Sequence, residues 1–79
     1  MERELVMYTT TWCGYCVRLK RFFDSESLPY REVNIETDPA AAEFVMNVNG
    51  GNRTVPTVLF PDGTALSNPT PAQIREHVA

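Results

Sequence analysis

Cys13 and Cys16 are the only cysteines in this 79-residue chain, separated by Gly14 and Tyr15. Thiols at this spacing can hold a structural metal, close a small disulfide loop, or exchange electrons with other disulfides. A structural zinc site takes four ligands, and the chain supplies only these two cysteines and one histidine, His77. Carboxylates or a second subunit would have to complete the set, so no metal is expected. A structural disulfide across so short a loop removes little chain entropy. Next to a strand–helix–strand pattern, Cys-x-x-Cys favours redox exchange.

Exchange needs two unlike sulfurs: an accessible thiolate that attacks, and a close but shielded thiol that resolves the mixed disulfide. The flanking elements supply that asymmetry. Leu5-Val6-Met7-Tyr8 reads as a short buried strand, and a helix is predicted from about Gly14 to Ser27, ending before Leu28-Pro29. Cys13 then stands at a helix N-terminus, where free backbone N–H groups favour an anion over a neutral thiol. Cys16, Leu19 and Phe23 fall at i, i+3 and i+7, which turns Cys16 toward the core. Gly14 adds one more backbone N–H near the Cys13 sulfur.

Further along, Tyr30 to Ile35 reads as a second strand, Val33 and Ile35 alternating with Glu32, Asn34 and Glu36. Strand, helix and strand in this length predict a right-handed parallel unit. Asp38-Pro39 opens a helix as N-cap and first-turn proline. Ala41, Phe44, Val45 and Val48 line its apolar stripe, and Gly50-Gly51 ends it. Thr57 to Phe60 and Thr64 to Leu66 read as a hairpin across Pro61-Asp62-Gly63. Thr70-Pro71-Ala72-Gln73 is a capping-box pattern opening a last helix through Ile74 and Val78. The expected fold class is α/β: one domain over residues 1–79, a four-stranded mixed sheet with three helices in the order β-α-β-α-β-β-α.

Composition narrows the function classes. The hydrophobic fraction is 43%, ordinary for a globular chain, and no run approaches the ~20 apolar residues a membrane span needs. Met1-Glu2-Arg3-Glu4 carries no basic region followed by a long apolar run, so a cytoplasmic location is expected. Net charge is −3, which argues against extended nucleic-acid binding. Arg18, Lys20 and Arg21 read first as a solvated helix face. The sharper alternative is that one of them adds positive potential near Cys13 or meets an anionic substrate.

Trp12 and Tyr15 flank the cysteines at a corner expected to be exposed, where flat apolar walls could hold a thiol-bearing ligand; packing into the core is the plainer alternative. Thr54-Val55-Pro56 precedes the hairpin, and from the residues alone its proline need only open a strand. His77 sits near the end of the last helix, where the dipole favours a cation; nothing pairs it with Cys13.

Taken together, a strand, Trp12-Cys13-Gly14-Tyr15-Cys16, a helix and Thr54-Val55-Pro56-Thr57 before a hairpin resemble glutaredoxins along the whole chain. The resemblance to mycoredoxins, the glutaredoxin-like enzymes of bacteria that make mycothiol, is closer still. It rests on Tyr8 through Cys16, on Val48 through Val58, and on Asp62-Gly63 followed by Ser67-Asn68-Pro69. It implies a thioredoxin/glutaredoxin fold, a cis Pro56 facing the cysteines, Cys13 as nucleophile with Cys16 as resolving thiol, and ligand pairing with the Val55 backbone. It further implies that Trp12, Tyr15, Arg53, Thr54 and Asn68 belong to the substrate site.

Glutathione-using glutaredoxins generally carry a Gly-Gly-x-Asp element before the last helix, whereas this chain reads Leu66-Ser67-Asn68-Pro69. The resemblance therefore favours mycothiol over glutathione as co-substrate, held partly by Asn68, with no bound cofactor. The expected partners are a low-molecular-weight thiol, proteins modified by it and a flavoprotein disulfide reductase; the protein is expected to be a monomer. Two rival readings remain. One is a dithiol electron donor, for example to ribonucleotide reductase, and the other is a dimer bridging an iron–sulfur cluster through Cys13.

Overall fold

The computed structural model describes residues 4–78; Met1, Glu2, Arg3 and Ala79, and with them most of the N-terminal stretch read for a leader, lie outside the described residues. Seven elements follow in the expected order: β1 (Leu5–Thr9), α1 (Gly14–Ser25), β2 (Tyr30–Asn34), α2 (Pro39–Val48), β3 (Thr57–Leu59), β4 (Ala65–Ser67) and α3 (Pro71–Val78). The strands form a mixed sheet in the order β2-β1-β3-β4. β1 pairs with β2 in parallel, from Leu5 opposite Tyr30 to Thr9 opposite Asn34. β3 runs antiparallel to both β1 and β4.

Alternation along β1 sends its side chains to two cores. Leu5 and Met7 pack with Val58 and Phe60, with Leu19 and Phe23 of α1, and with Ile74 of α3. Tyr8 and Val33 face the other way, against Ile35 and against Ala41, Ala42 and Val45 of α2. Helices α1 and α3 therefore cover one face and α2 the other. Phe23, fully buried and 5.0 Å from the Tyr30 ring, anchors the first core. Burial of such a side chain is worth about 1.5–3 kcal/mol.

The helix starts are those the sequence predicts. The Asp38 carboxylate accepts the Ala41 N–H at 3.1 Å, as an N-cap should. In the capping box of α3, Gln73 accepts the Thr70 N–H at 2.8 Å and Thr70 Oγ1 accepts the Gln73 N–H at 3.2 Å. The hairpin turn needs Gly63, whose φ is +92°.

Several expectations about ends and faces are corrected. Helix α1 stops at Ser25, two residues short of Ser27, because Ser27 adopts a left-handed φ of +54°. Its N–H then bonds Asp24 O at 3.2 Å and Leu28 N–H bonds Phe23 O at 2.9 Å, the paired bonds of a Schellman motif. Val48 lies on the predicted stripe of α2 yet is 37% exposed, because it is the helix's last residue, and Ala42 takes its place in the core. Val78, at the end of α3, is exposed as well. β2 ends at Asn34, leaving Ile35 buried just beyond it, and β4 is shifted one residue, to Ala65–Ser67.

Candidate active site

The strand-to-helix corner places the cysteines as their register requires. Cys13 is the N-cap of α1, with extended backbone (φ −90°, ψ 105°), and its sulfur accepts the Cys16 N–H at 3.0 Å. The donor that reaches the sulfur is thus Cys16, one turn into the helix, rather than Gly14. Cys13 and Cys16 are joined as a disulfide, their Cα atoms 5.2 Å apart. Cys13 is half-buried at the corner, whereas Cys16 is 2% exposed on the stripe that carries Leu19 and Phe23. A reagent approaching from solvent meets the Cys13 sulfur first.

Just before β3, the peptide bond between Val55 and Pro56 is cis. Pro56 is buried, and its carbonyl accepts the Asn68 N–H at 2.6 Å. The approach to β3 is fixed from below: Thr57 Oγ1 donates to Thr54 O at 2.8 Å and accepts from Asn49 Nδ2 at 3.2 Å. Asn49, the C-cap of α2, also donates to Val45 O and accepts from Ser67 Oγ. One asparagine thereby ties α2, β3 and β4 together beneath the Thr54–Pro56 stretch.

Tyr15, Pro56 and Asn68 line an open groove of about 400 Å³ with Arg18, Leu19, Phe22, Pro69, Thr70 and Pro71. Its floor is mostly apolar. The Arg18 guanidinium stacks 5.4 Å from the Tyr15 ring centroid, so of the basic cluster on α1 it is Arg18 that joins the groove. Of the other sequence-predicted residues, Arg53 is exposed on the loop before β3, outside this groove. Thr54 is half-buried, and Val55 packs toward the α2 core. His77 stacks on Phe60 with centroids 4.5 Å apart, in a second groove lined in part by Leu5, Leu28 and Asp62.

Trp12 and Tyr15 do not pack into the core; they are 85% and 61% exposed. Trp12 turns instead to a residue with no motif to mark it in the sequence. Glu36, just after β2, accepts from Thr11 Oγ1 at 2.6 Å, from Trp12 Nε1 at 3.0 Å and from Thr11 N at 2.8 Å. These donors, led by the Thr11 hydroxyl, lower the Glu36 carboxyl from its ordinary 4.5 to about 2. The parallel register is the available clue: Thr9 opposite Asn34 makes both chains leave the sheet at the same end.

A four-stranded mixed sheet, a Cys-x-x-Cys disulfide at the start of its first helix and a cis-proline just before β3 define a thiol–disulfide oxidoreductase of the thioredoxin/glutaredoxin fold. The glutaredoxin family model matches residues 5–64, and the chain belongs to the glutaredoxin family. A Mycobacterium tuberculosis protein that carries the glutaredoxin name is 56% identical over 71 residues, covering 90% of this chain and 84% of its own. Mycoredoxin 1 of Corynebacterium glutamicum is 40% identical over 71 residues, 90% of this chain and 87% of its own.

Solved structures agree on the architecture. The thioredoxin-like protein BC3987 superposes with a TM-score of 0.79 at 23% identity, covering 92% of this chain and 97% of that one, a likeness of fold alone. NrdH-redoxin from Escherichia coli has a TM-score of 0.78 at 26% identity, with 92% of each chain covered. No helix among the described residues is long and apolar enough to cross a membrane.

Proposed function

We propose that this protein, as one domain over residues 1–79, reduces mixed disulfides between proteins and a low-molecular-weight thiol, and that mycothiol is that thiol. The observation that carries the reading is the unequal pair: Cys13 half-buried at a helix N-terminus with an N–H on its sulfur, and Cys16 buried one turn on. Reduced Cys13 attacks as thiolate at the small-thiol sulfur of the mixed disulfide. The bond to the protein sulfur breaks, the protein leaves as its thiolate, and Cys13 carries the small thiol as a disulfide. A second small-thiol thiolate then attacks that small-thiol sulfur, releasing Cys13 and the symmetric disulfide. Alternatively Cys16 attacks Cys13, releasing the small thiol and forming the Cys13–Cys16 disulfide.

The groove supports the choice of thiol. Its lining combines the polar side chains of Arg18, Asn68 and Thr70 with the apolar ones of Leu19, Phe22 and prolines. Hydroxyl-rich sugar rings can take hydrogen bonds from such groups and stack on Tyr15, and the likeness to a mycoredoxin points the same way. Arg53, Thr54, Val55 and Pro56 are assigned as further contacts to the small thiol, with the Val55 backbone pairing the extended ligand, and Trp12 is assigned as a substrate contact outside the groove. On this reading the protein acts as a cytoplasmic monomer, and a flavoprotein disulfide reductase returns oxidised small thiol to the pool.

A dithiol donor role is the second reading, favoured by the end-to-end likeness to an NrdH-redoxin and by the Cys13–Cys16 disulfide. The test is reduction of one protein carrying either mycothiol or glutathione as its mixed disulfide. Faster turnover of the mycothiol form supports the proposal. Equal rates, or a preference for glutathione, reject mycothiol as the natural thiol.

A further inference from the structure

Trp12 immediately precedes the proposed nucleophile and stands 85% exposed, a large aromatic ring with a polar edge presented to solvent. A single carboxylate holds it. Glu36 Oε2 accepts the indole N–H at 3.0 Å, while Oε1 takes both the N–H and the hydroxyl of Thr11 at 2.8 and 2.6 Å. Asn34 braces the same cluster from behind: its Nδ2 donates to Thr11 Oγ1 at 3.2 Å, and its Oδ1 accepts the Glu36 N–H at 2.8 Å. Every donor is matched to an acceptor, and three bonds converge on one ionised carboxylate, which makes them stronger than neutral surface bonds.

The cluster joins the segment that leads from β1 into Cys13 to the segment that leaves β2. An exposed indole fixed by its polar edge presents its faces to a partner with little rotamer freedom left to lose on contact. Tyr15, on the other flank of Cys13, already belongs to the small-thiol groove, and Trp12 lies outside that groove's lining. The small-thiol half of the substrate therefore has a place, and Trp12 remains for the other half.

We propose that Glu36 is a positioning residue for exchange at Cys13: through Thr11 and Trp12 it holds the indole as a platform for the protein half of the mixed disulfide. The inference rests on the exchange reading above. It is tested by coupling, because Glu36 acts through Trp12.

Trp12 is the chain's only tryptophan, so fluorescence anisotropy of the full chain reports its mobility directly. Glu36→Ala is expected to lower the anisotropy and to raise KM for a protein mixed disulfide about tenfold, the scale of a lost charge-assisted contact. Glu36→Gln, whose amide oxygen still accepts the indole N–H, is expected to restore much of both. In a Trp12→Ala background, Glu36→Ala should change KM no further.

Unchanged anisotropy, unchanged KM, or an additive KM effect in the Trp12→Ala background overturns the inference. Should Glu36→Ala fail to fold by circular dichroism, Glu36→Asp takes its place, because the shorter side chain cannot span Thr11 and Trp12. A wild type without turnover overturns the exchange reading and the platform with it. Normal wild-type turnover with silent variants overturns the platform alone.

Discussion

The backbone N–H of Cys16 points at the sulfur of Cys13 across 3.0 Å, so the buried cysteine supplies a hydrogen-bond donor to the accessible one. The two sulfurs are different chemical groups although one helical turn separates them. With the disulfide reduced, the same N–H and the N-terminus of α1 face a thiolate, and both favour the anion. The pKa of reduced Cys13 is therefore expected below the ordinary thiol value of about 8.5. Thiolate absorbance of reduced Cys16→Ser as a function of pH measures it, and a result at or above about 8.5 contradicts the electrostatic argument.

Glu36 gives a second, independent pH signature. Its carboxyl titrates at about 2 in the fold against an ordinary 4.5, because Thr11 and Trp12 donate to the ionised form. A depressed folded-state value means that the stabilisation is fully present above pH 4.5 and is lost as pH falls toward 2. In the wild type Trp12 anisotropy should fall toward the Glu36→Gln level as pH approaches about 2, with far-ultraviolet circular dichroism followed in parallel to separate the event from unfolding. Glu36→Gln should show no such step.

Asn68 separates a side-chain role from a backbone role. Its φ of +45° is left-handed, and its N–H bonds Pro56 O at 2.6 Å. Asn68→Gly keeps the conformation and the backbone bond and deletes only the side-chain amide of this groove-lining residue. The expected result is a rise of roughly fivefold in KM for the small thiol with kcat nearly unchanged, the loss of about one hydrogen bond. Asn68→Ala adds backbone strain of about 1–2 kcal/mol and should cost stability as well.

Ser27 is a site where stability can be gained. It holds the left-handed position of the Schellman motif with φ +54°, where helices that end this way usually carry glycine. Ser27→Gly removes that strain but adds unfolded-state freedom, for a net gain of about 0.5–1 kcal/mol. A thermal melt should show Tm rising by roughly 2–6 °C, and a fall in Tm contradicts the assignment.

What the sequence showed and what it hid follow from the range of the interactions concerned. Asp38 capping Ala41, Thr70 exchanging bonds with Gln73, and Cys16 in line with Leu19 and Phe23 are relations within one helical turn or two. Periodicity and cap chemistry reveal these directly, and with them the element order. The end of α1 is hard to read because a serine adopts the conformation that glycine usually announces. Val48 has the right spacing for the core but lies where α2 has run past its partners.

Glu36 is hidden for a different reason: it lies 24 positions from Trp12, and only the parallel pairing of β1 with β2 brings the two together. The groove likewise depends on the β4–α3 connection folding back against α1, so resemblance points to Asn68 while nothing in the sequence points to Phe22 or Thr70.

On the proposed mechanism Cys13 attacks and Cys16 stands in reserve. The most direct measurement is steady-state reduction of a protein–small-thiol mixed disulfide by Cys13→Ser and Cys16→Ser with the small thiol in excess. Cys16→Ser is expected to keep activity comparable to wild type and Cys13→Ser to lose it to background. Full activity in Cys13→Ser, or complete loss in Cys16→Ser, would contradict a nucleophile with a reserve thiol.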